Sequence, residues 1–271
     1  SSSGGIVATL LSIKRVVIAR LGQIVPEPHA SFLAGLIFGG SSSLSQDLKD
    51  DFSKTGTSHI LAASGFNVSL FSMVFLTWIT HTFLGRRRGA YLTAGLLVAY
   101  VCVAGATAAV VRAGIMGLLV LVGFVIRRKP SVLNVTLLAL AAMLLWNPLL
   151  LADVGFQLSF VATAAMLGAS GAIEKRCVFV PEAFELRKSF AGSMAAIVCT
   201  LPIMLWHFGA VSLWSPVVNL LVLPLVPMLM ALTGVALAVG FLNVTLGTIV
   251  AIPAWAASSV ILHLVTWFGA L

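Results

Sequence analysis

Arg112 is a single charged residue in a long apolar segment, which makes it the first candidate for a functional side chain. Residues 89–126 contain no other Asp, Glu, Lys or Arg. An arginine at membrane depth costs at least about 2.5–3.5 kcal/mol on insertion scales, so it normally faces a polar partner or water. The sequence leaves two roles open: a cation on the path of an anionic ligand, or a side chain that reaches from a helix end to the membrane interface.

A second polar group begins at Asp153, in the segment Asp-Val-Gly-Phe-Gln-Leu-Ser-Phe. Gln157 follows one helical turn later and lies on the same helix face. A carboxylate at the start of a helix can also cap the free backbone amides there. The sequence therefore predicts Asp153 as a structural polar partner, either of Arg112 or of the helix end, and Gln157 as a polar lining residue.

A third group, His59, Ser64 and Asn67, lies in the segment Ser-His-Ile-Leu-Ala-Ala-Ser-Gly-Phe-Asn. A serine near a histidine raises the alternative of an intramembrane hydrolase, but the glycine that precedes the serine of a nucleophile elbow is missing. We favour a helix break at Ser64 with polar side chains turned toward a cavity. Three scattered cysteines and the isolated histidines show no metal-site spacing, so we expect no catalytic residue, no metal and no cofactor.

The elements that must position these residues are membrane helices. The chain has 271 residues, of which 60% are hydrophobic and 9% are charged, whereas soluble domains carry about 25% charged residues. Residues 189–271 contain no Asp, Glu, Lys or Arg, and one crossing takes about 20 apolar residues. The composition excludes a soluble globular enzyme. It predicts an all-α, polytopic integral membrane helical bundle with about seven spans.

Helices that do not span the membrane are also expected. Residues 1–29 are expected to form an interfacial amphipathic helix or linker, because basic residues interrupt their apolar pattern. Residues 41–58 predict a short amphipathic helix with Ser43 and Gln46 as a capping pair. Five prolines between residues 202 and 253 break helices, and a broken helix at membrane depth must face protein or a wet cavity.

Basic residues predict the orientation of the spans. The net charge is +8, and membrane proteins retain Lys and Arg in cytoplasmic loops. The triplets at 86–88 and 127–129 are separated by two crossings with a turn near residues 105–107, so both triplets are expected on the cytoplasmic side. Residues 41–58 and both ends of the chain are then expected on the outer side.

Five short blocks carry a further signal, and they follow one another along most of the chain: Gly35–Gly39, Thr55–Gly65, Gly105–Ala113, Asp153–Phe160 and Phe208–Leu221. In this order they resemble the competence domain of the ComEC family of DNA-uptake channels. The resemblance assigns residues 30–271 to that domain. Asn67 stands where the family often has His, and Ala108 and Ala109 stand where it often has Pro and Ser.

The resemblance implies a channel that passes single-stranded DNA across the bacterial cytoplasmic membrane during natural transformation. It implies a DNA path that is lined by polar side chains of the blocks: His59, Ser64, Asn67, Arg112, Gln157 and Asn219. Family members also carry an oligonucleotide-binding-type domain and a metallo-β-lactamase-like nuclease domain, so these domains, membrane lipid and other competence proteins are the expected partners. A transporter of a small anion or lipid is the alternative that the residues alone leave open.

Overall fold

The computed structural model describes residues 3–40, 44–61, 68, 85–177, 186–208 and 214–270. All regular elements in these ranges are helical, which confirms the all-α class. One of them is a short 3₁₀ helix, Pro148–Ala152. The α-helices are α1 Ser3–Ile24, α2 His29–Phe38, α3 Gln46–Lys54, α4 Ser58–Leu61, α5 Arg86–Val103, α6 Ala108–Val125, α7 Val132–Trp146, α8 Val154–Gly168, α9 Ser170–Arg176, α10 Leu186–Phe208, α11 Ser215–Val222, α12 Leu225–Leu242 and α13 Val244–Gly269.

Four of the described helices are long and apolar enough to cross a membrane, namely α6, α10, α12 and α13. A fifth crossing forms if α8 and α9, which meet at an angle of 54°, act as one bent span. Three arginines begin α5, and α7 has only 15 residues. The described ranges therefore hold four or five candidate spans rather than about seven. Residues 62–67 and 69–84, where the sequence predicts another crossing, lie outside the described part.

The first helix packs onto the last two. Leu21 and Ile24 of α1 are buried in a core shared with α2, α11, α12 and α13. Ile24 lies against the turn between α12 and α13, where Gly240 and Gly247 meet. A Cβ on Gly247 would stand 2.4 Å from Gly240 Cα, so glycine is required for this close approach. The membrane position of α1 stays a prediction.

An antiparallel hairpin of α5 and α6 carries Arg112. Its turn covers residues 104–107, where the charge pattern predicted it. The hairpin buries Val68, Leu97 and Val110 in a second apolar cluster. Two hydrogen bonds join the turn end of the hairpin to α2 and α1. Tyr100 Oη donates to Ile37 O of α2 at 2.6 Å, and Lys14 Nζ of α1 donates to Val103 O at 3.1 Å.

The amphipathic helix α3 is present, but its predicted capping pair is wrong. The N-cap is Ser45, whose Oγ accepts a hydrogen bond from Leu48 N at 3.4 Å. Ser45 has extended backbone angles and immediately precedes the helix, so its side chain can reach the third amide. Lys54 at the other end of α3 donates to Gly269 O at 3.4 Å, which places α3 at the C-terminal end of α13.

Prolines interrupt the last third of the chain, as expected. Pro202 lies inside α10 and Pro253 inside α13. Pro216 occupies the first turn of α11, and Pro224 separates α11 from α12. With eight residues, α11 is about 12 Å long and too short to cross a membrane.

Candidate functional site

Arg112 connects two helices through its guanidinium group. It projects from the second turn of α6 toward α8, where Nη1 donates to Ser159 O and, at 2.7 Å, to Thr163 Oγ1. The Phe160 ring centroid lies 5.4 Å from the Arg112 Cζ. Hydrogen bonds from a charged donor contribute about 1.5–3 kcal/mol. The sequence left a snorkelling side chain as an alternative, and this geometry shows an interhelical contact instead.

One part of the same guanidinium is unsatisfied. Arg112 Nε is buried and has no hydrogen-bond partner among the residues that the structure describes. Such orphaned buried donors are uncommon in folded proteins and call for an explanation. The two N–H groups of Nη1 are directed at Ser159 and Thr163. Nε is enclosed by protein atoms, so the guanidinium keeps one unpaired donor beside the α6–α8 contact.

Asp153 caps α8. Its Oδ1 accepts a hydrogen bond from Phe156 N at 2.6 Å, the third amide of the helix. Both Asp153 and Arg112 belong to the described residues, and no ion pair joins them there. Of the two structural roles that the sequence left open for Asp153, the structure shows the helix cap. Nη1 of the Arg112 guanidinium finds its acceptors further along α8, at Ser159 and Thr163.

Gln157 faces α10, not the α6 helix that carries Arg112. Its Nε2 donates to Leu151 O at 2.7 Å, and the residue borders a groove of about 390 Å³ between α8 and α10. The α10 side of the groove is formed by Pro202, Ile203, Trp206 and His207. At 100° per residue, Gln157 lies well away from the Ser159 and Thr163 face of α8. The side of α8 that Arg112 contacts and the side that carries Gln157 are therefore different, and the two residues do not form one polar cluster.

The other predicted residues are distributed elsewhere. His59 is exposed on α4, and Ser64 and Asn67 lie outside the described residues. Asn219 on α11 is 5% exposed, and its Nδ2 donates to Ser215 Oγ at 3.1 Å. Its Oδ1 is buried without a partner. The described hydrogen bonds do not link His59, Arg112, Gln157 and Asn219 to one another.

A polar cluster between α2 and α13 was not anticipated from the sequence. His29 Nδ1 lies 3.0 Å from Ser258 Oγ, and its Nε2 lies 3.5 Å from Ser259 Oγ. Since the Ser258 hydroxyl donates to Trp255 O at 2.8 Å, it accepts from the His29 Nδ1–H. His263, one turn beyond Ser259, donates through Nδ1 to Ser259 O at 2.8 Å.

The protonation of His29 follows from these surroundings. Burial lowers the pKa of its imidazole, His263 lowers that pKa further, and Glu27 raises it. The neutral ring is therefore favoured near neutral pH. Ser258, Ser259 and His263 share a helix and were visible as a polar group in the sequence. Their partner lies 229 residues away from Ser258, so only the fold could assemble the cluster.

The matching family model is described as a competence protein and covers residues 36–271. This range includes Arg112, α8 and nearly every described helix. The chain belongs to the competence protein family. The family resemblance read from the five blocks is confirmed, and the match begins six residues after the boundary that was predicted at residue 30.

Two curated relatives agree with this assignment. The chain is 26% identical over 215 residues to ComE operon protein 3 of Bacillus subtilis (strain 168), covering 79% of this chain and 27% of that protein. It is 29% identical over 204 residues to competence protein ComA of Neisseria gonorrhoeae, covering 71% of this chain and 28% of that protein. The chain thus spans less than a third of either relative. No solved structure matches.

The α6–α8 contact predicts a specific effect of Thr163→Val. Valine keeps the shape of threonine but removes the acceptor for Arg112 Nη1, so the variant should unfold at a lower temperature in detergent. The expected loss is about 1–3 kcal/mol, the range for a bond to a charged group or a buried donor left unpaired. Thermal unfolding followed by circular dichroism measures it.

Thr200→Val is the matched control. Thr163 Oγ1 donates to Ser159 O four residues earlier at 2.9 Å, and Thr200 Oγ1 donates to Ala196 O in the same way at 2.7 Å. Both variants lose this hydrogen bond within a helix. Only Thr163→Val also loses a hydrogen bond between helices, the one from Arg112 Nη1. Equal unfolding temperatures for the two variants would show that the Arg112 contact does not contribute.

Proposed function

We propose that this chain forms the membrane channel through which a single DNA strand enters the cytoplasm of a bacterium during natural transformation. Membership of the competence protein family over residues 36–271 supports a role in DNA uptake. Four to five candidate spans support a location in the membrane, and we place it in the cytoplasmic membrane. The observation that carries the proposal furthest is the Arg112 guanidinium inside a candidate span, with Nε buried and unpartnered.

The chemistry of a DNA strand fits this guanidinium. A translocating strand presents one phosphodiester anion per nucleotide, and an arginine fork pairs with two oxygens of such a group. Conduction requires sites that attract an ion without holding it tightly. Arg112 is proposed to meet both conditions, because Nη1 is already committed to α8 and only the rest of the guanidinium is left to pair with a phosphate. Nε is buried, so it would have to be uncovered before it could contact the strand. His59, Ser64, Asn67, Gln157 and Asn219 are proposed to offer contacts that do not depend on base sequence.

We further propose that DNA hydrolysis is performed outside these residues. In the described ranges no three His, Cys, Asp or Glu side chains form a group that could hold a metal ion. Both relatives are more than three times as long as the aligned region. The oligonucleotide-binding-type and metallo-β-lactamase-like domains that the family resemblance implies are the proposed partners, together with other competence proteins.

The proposed topology has cytoplasmic triplets at 86–88 and 127–129 and both ends outside, so the number of crossings, predicted as about seven, must be even. Two contacts support its internal consistency. The α5–α6 hairpin returns both triplets to the same end of the bundle, where Arg86 Nη2 donates to Phe124 O. The contact between Lys54 and Gly269 puts α3 beside the C-terminal end of α13, and both are assigned to the outer side.

Substitution of Arg112 in the full-length protein tests the proposed channel. Arg112→Ala should lower transformation frequency about 10- to 100-fold, which corresponds to a lost charge-assisted bond of about 1.5–3 kcal/mol. Arg112→Glu should abolish transformation by repelling phosphate. Arg112→Lys should retain part of it, because the charge survives without the planar fork. Transformation frequency is measured beside membrane abundance for each variant.

Arg15→Ala, which removes an exposed arginine of α1, is the control and should transform normally. A stable Arg112→Ala protein with normal transformation would refute the proposed role of Arg112. Unchanged transformation with lost flux of a small anion would indicate the transporter alternative instead. The purified chain, incubated with labelled DNA and Mg²⁺, should leave the DNA intact, and specific cleavage would refute the assignment of hydrolysis to other domains.

Single-cysteine labelling tests the proposed topology. Ser53 on α3 and Ser131 before α7 are both exposed, so Ser53→Cys and Ser131→Cys should be accessible in a background without Cys102, Cys177 and Cys199. A membrane-impermeant maleimide added to intact cells should label position 53 only. Position 131 should react only after the membrane is opened. Labelling of both positions from one side would contradict the topology.

A further inference from the structure

Two basic triplets that are far apart in the sequence meet at one end of the α5–α6 hairpin. Arg86 Nη2 donates to Phe124 O, and its guanidinium lies 4.3 Å from the Phe124 ring centroid. This contact holds the first triplet, 86–88, against the end of α6, which the second triplet, 127–129, follows directly. All six side chains are exposed. We call these six residues the basic patch.

The second triplet is a folded turn. Arg127 has a φ of 60°, and its amide donates to Phe124 O at 3.3 Å, while Arg128 N donates to Gly123 O at 2.9 Å. These are the two hydrogen bonds of a Schellman motif. Pro130 packs onto the same turn, since a Cβ on Gly123 would stand 2.7 Å from Pro130 Cδ. The cations are therefore held on a defined surface.

The charge of the basic patch is not neutralised from within. Residues 52–152 contain no Asp or Glu. In the described ranges none of the six cations takes part in an ion pair. Arg86 is engaged with Phe124. The other five cations, two on α5 and three in the turn after α6, have no ion-pair partner among the described residues. Such a concentration of positive charge attracts an external anion, and this electrostatic attraction weakens as salt is added.

The surroundings of the basic patch indicate which anion it meets. Apolar side chains beside the triplets are exposed: Tyr91 at 71%, Val122 at 56% and Ile126 at 59%. The triplet 127–129 lies two to four residues beyond the end of the α6 span, in a turn where Arg127 N and Arg128 N donate back to Phe124 O and Gly123 O, so the chain stays beside the helix end. The headgroup layer of each leaflet is about 5–7 Å thick. The cations therefore lie at the depth of lipid phosphates, with apolar residues toward the acyl chains.

We propose that the basic patch is a binding site for acidic phospholipid, with the phosphodiester headgroup on the two triplets and an acyl chain along Tyr91, Val122 and Ile126. A DNA strand shares the phosphodiester chemistry, and its bases can stack on an aromatic ring such as Tyr91, but the aliphatic Val122 and Ile126 suit an acyl chain better than a base. The proposal does not depend on the channel function, and the two can fail separately.

Lipid retention by the purified chain tests the proposal. The protein is equilibrated with an equimolar mixture of phosphatidylglycerol and phosphatidylcholine, and bound lipids are counted by native mass spectrometry. The chain should retain phosphatidylglycerol preferentially. The triple variant Arg87→Gln, Arg128→Gln, Lys129→Gln should bind it about 100-fold more weakly, since each surface cation contributes roughly a fivefold factor.

The control triple Arg15→Gln, Lys175→Gln, Arg176→Gln removes the same charge at three exposed positions elsewhere and should keep the preference. The unmodified chain gives a second measurement, because added salt should weaken retention of phosphatidylglycerol but not of phosphatidylcholine. Equal losses in the two triples, or retention that is independent of salt, would overturn the proposal. So would a patch variant that keeps its lipid preference but loses binding of a single-stranded oligonucleotide, since DNA would then be the ligand.

Discussion

The arrangement of the α6–α8 region depends on one half-buried guanidinium, that of Arg112. An arginine within a membrane span is costly unless polar groups replace water around it. Ser159 O and Thr163 Oγ1 do so for Arg112, and this requires the middle of α8 to face the start of α6. Asp153 begins α8 at the right position by capping its first turn. The groove beside Gln157 then falls on the neighbouring side of α8, toward α10.

Close approaches and breaks in the remaining helices are set by small residues and prolines. Gly240 and Gly247 allow α12 and α13 to meet beside Ile24, and Pro224 separates the short α11 from α12. A broken helix exposes backbone carbonyls that lipid cannot satisfy. The Oδ1 of Asn219 on the same short helix is buried and has no partner among the described residues. Protein or water must therefore face α11.

Sequence reasoning worked where a local pattern has one physical meaning. Composition implied membrane helices, and the charge spacing placed the turn at residues 104–107. The partners of Arg112 were not predicted, because an apolar neighbourhood shows that a cation needs an acceptor without showing which helix supplies it. Asp153 lies six residues before Ser159 and ten before Thr163, too far along the helix for that role, whereas Thr163 looked like an ordinary helix threonine. His29 and Ser258 were missed for the same reason, since their contact exists only after α2 packs on α13.

The central claim is that a DNA strand passes along the Arg112 side of α8, and site-specific photo-crosslinking tests it most directly. A photoreactive phenylalanine analogue replaces Phe160, whose ring lies beside Arg112, in the full-length protein during active DNA uptake. A second protein carries the analogue at Leu145, which is 87% exposed on α7. The account predicts crosslinks to the incoming strand from position 160 and none from position 145. Active uptake without crosslinks at position 160, or with equal crosslinks at both positions, would contradict it.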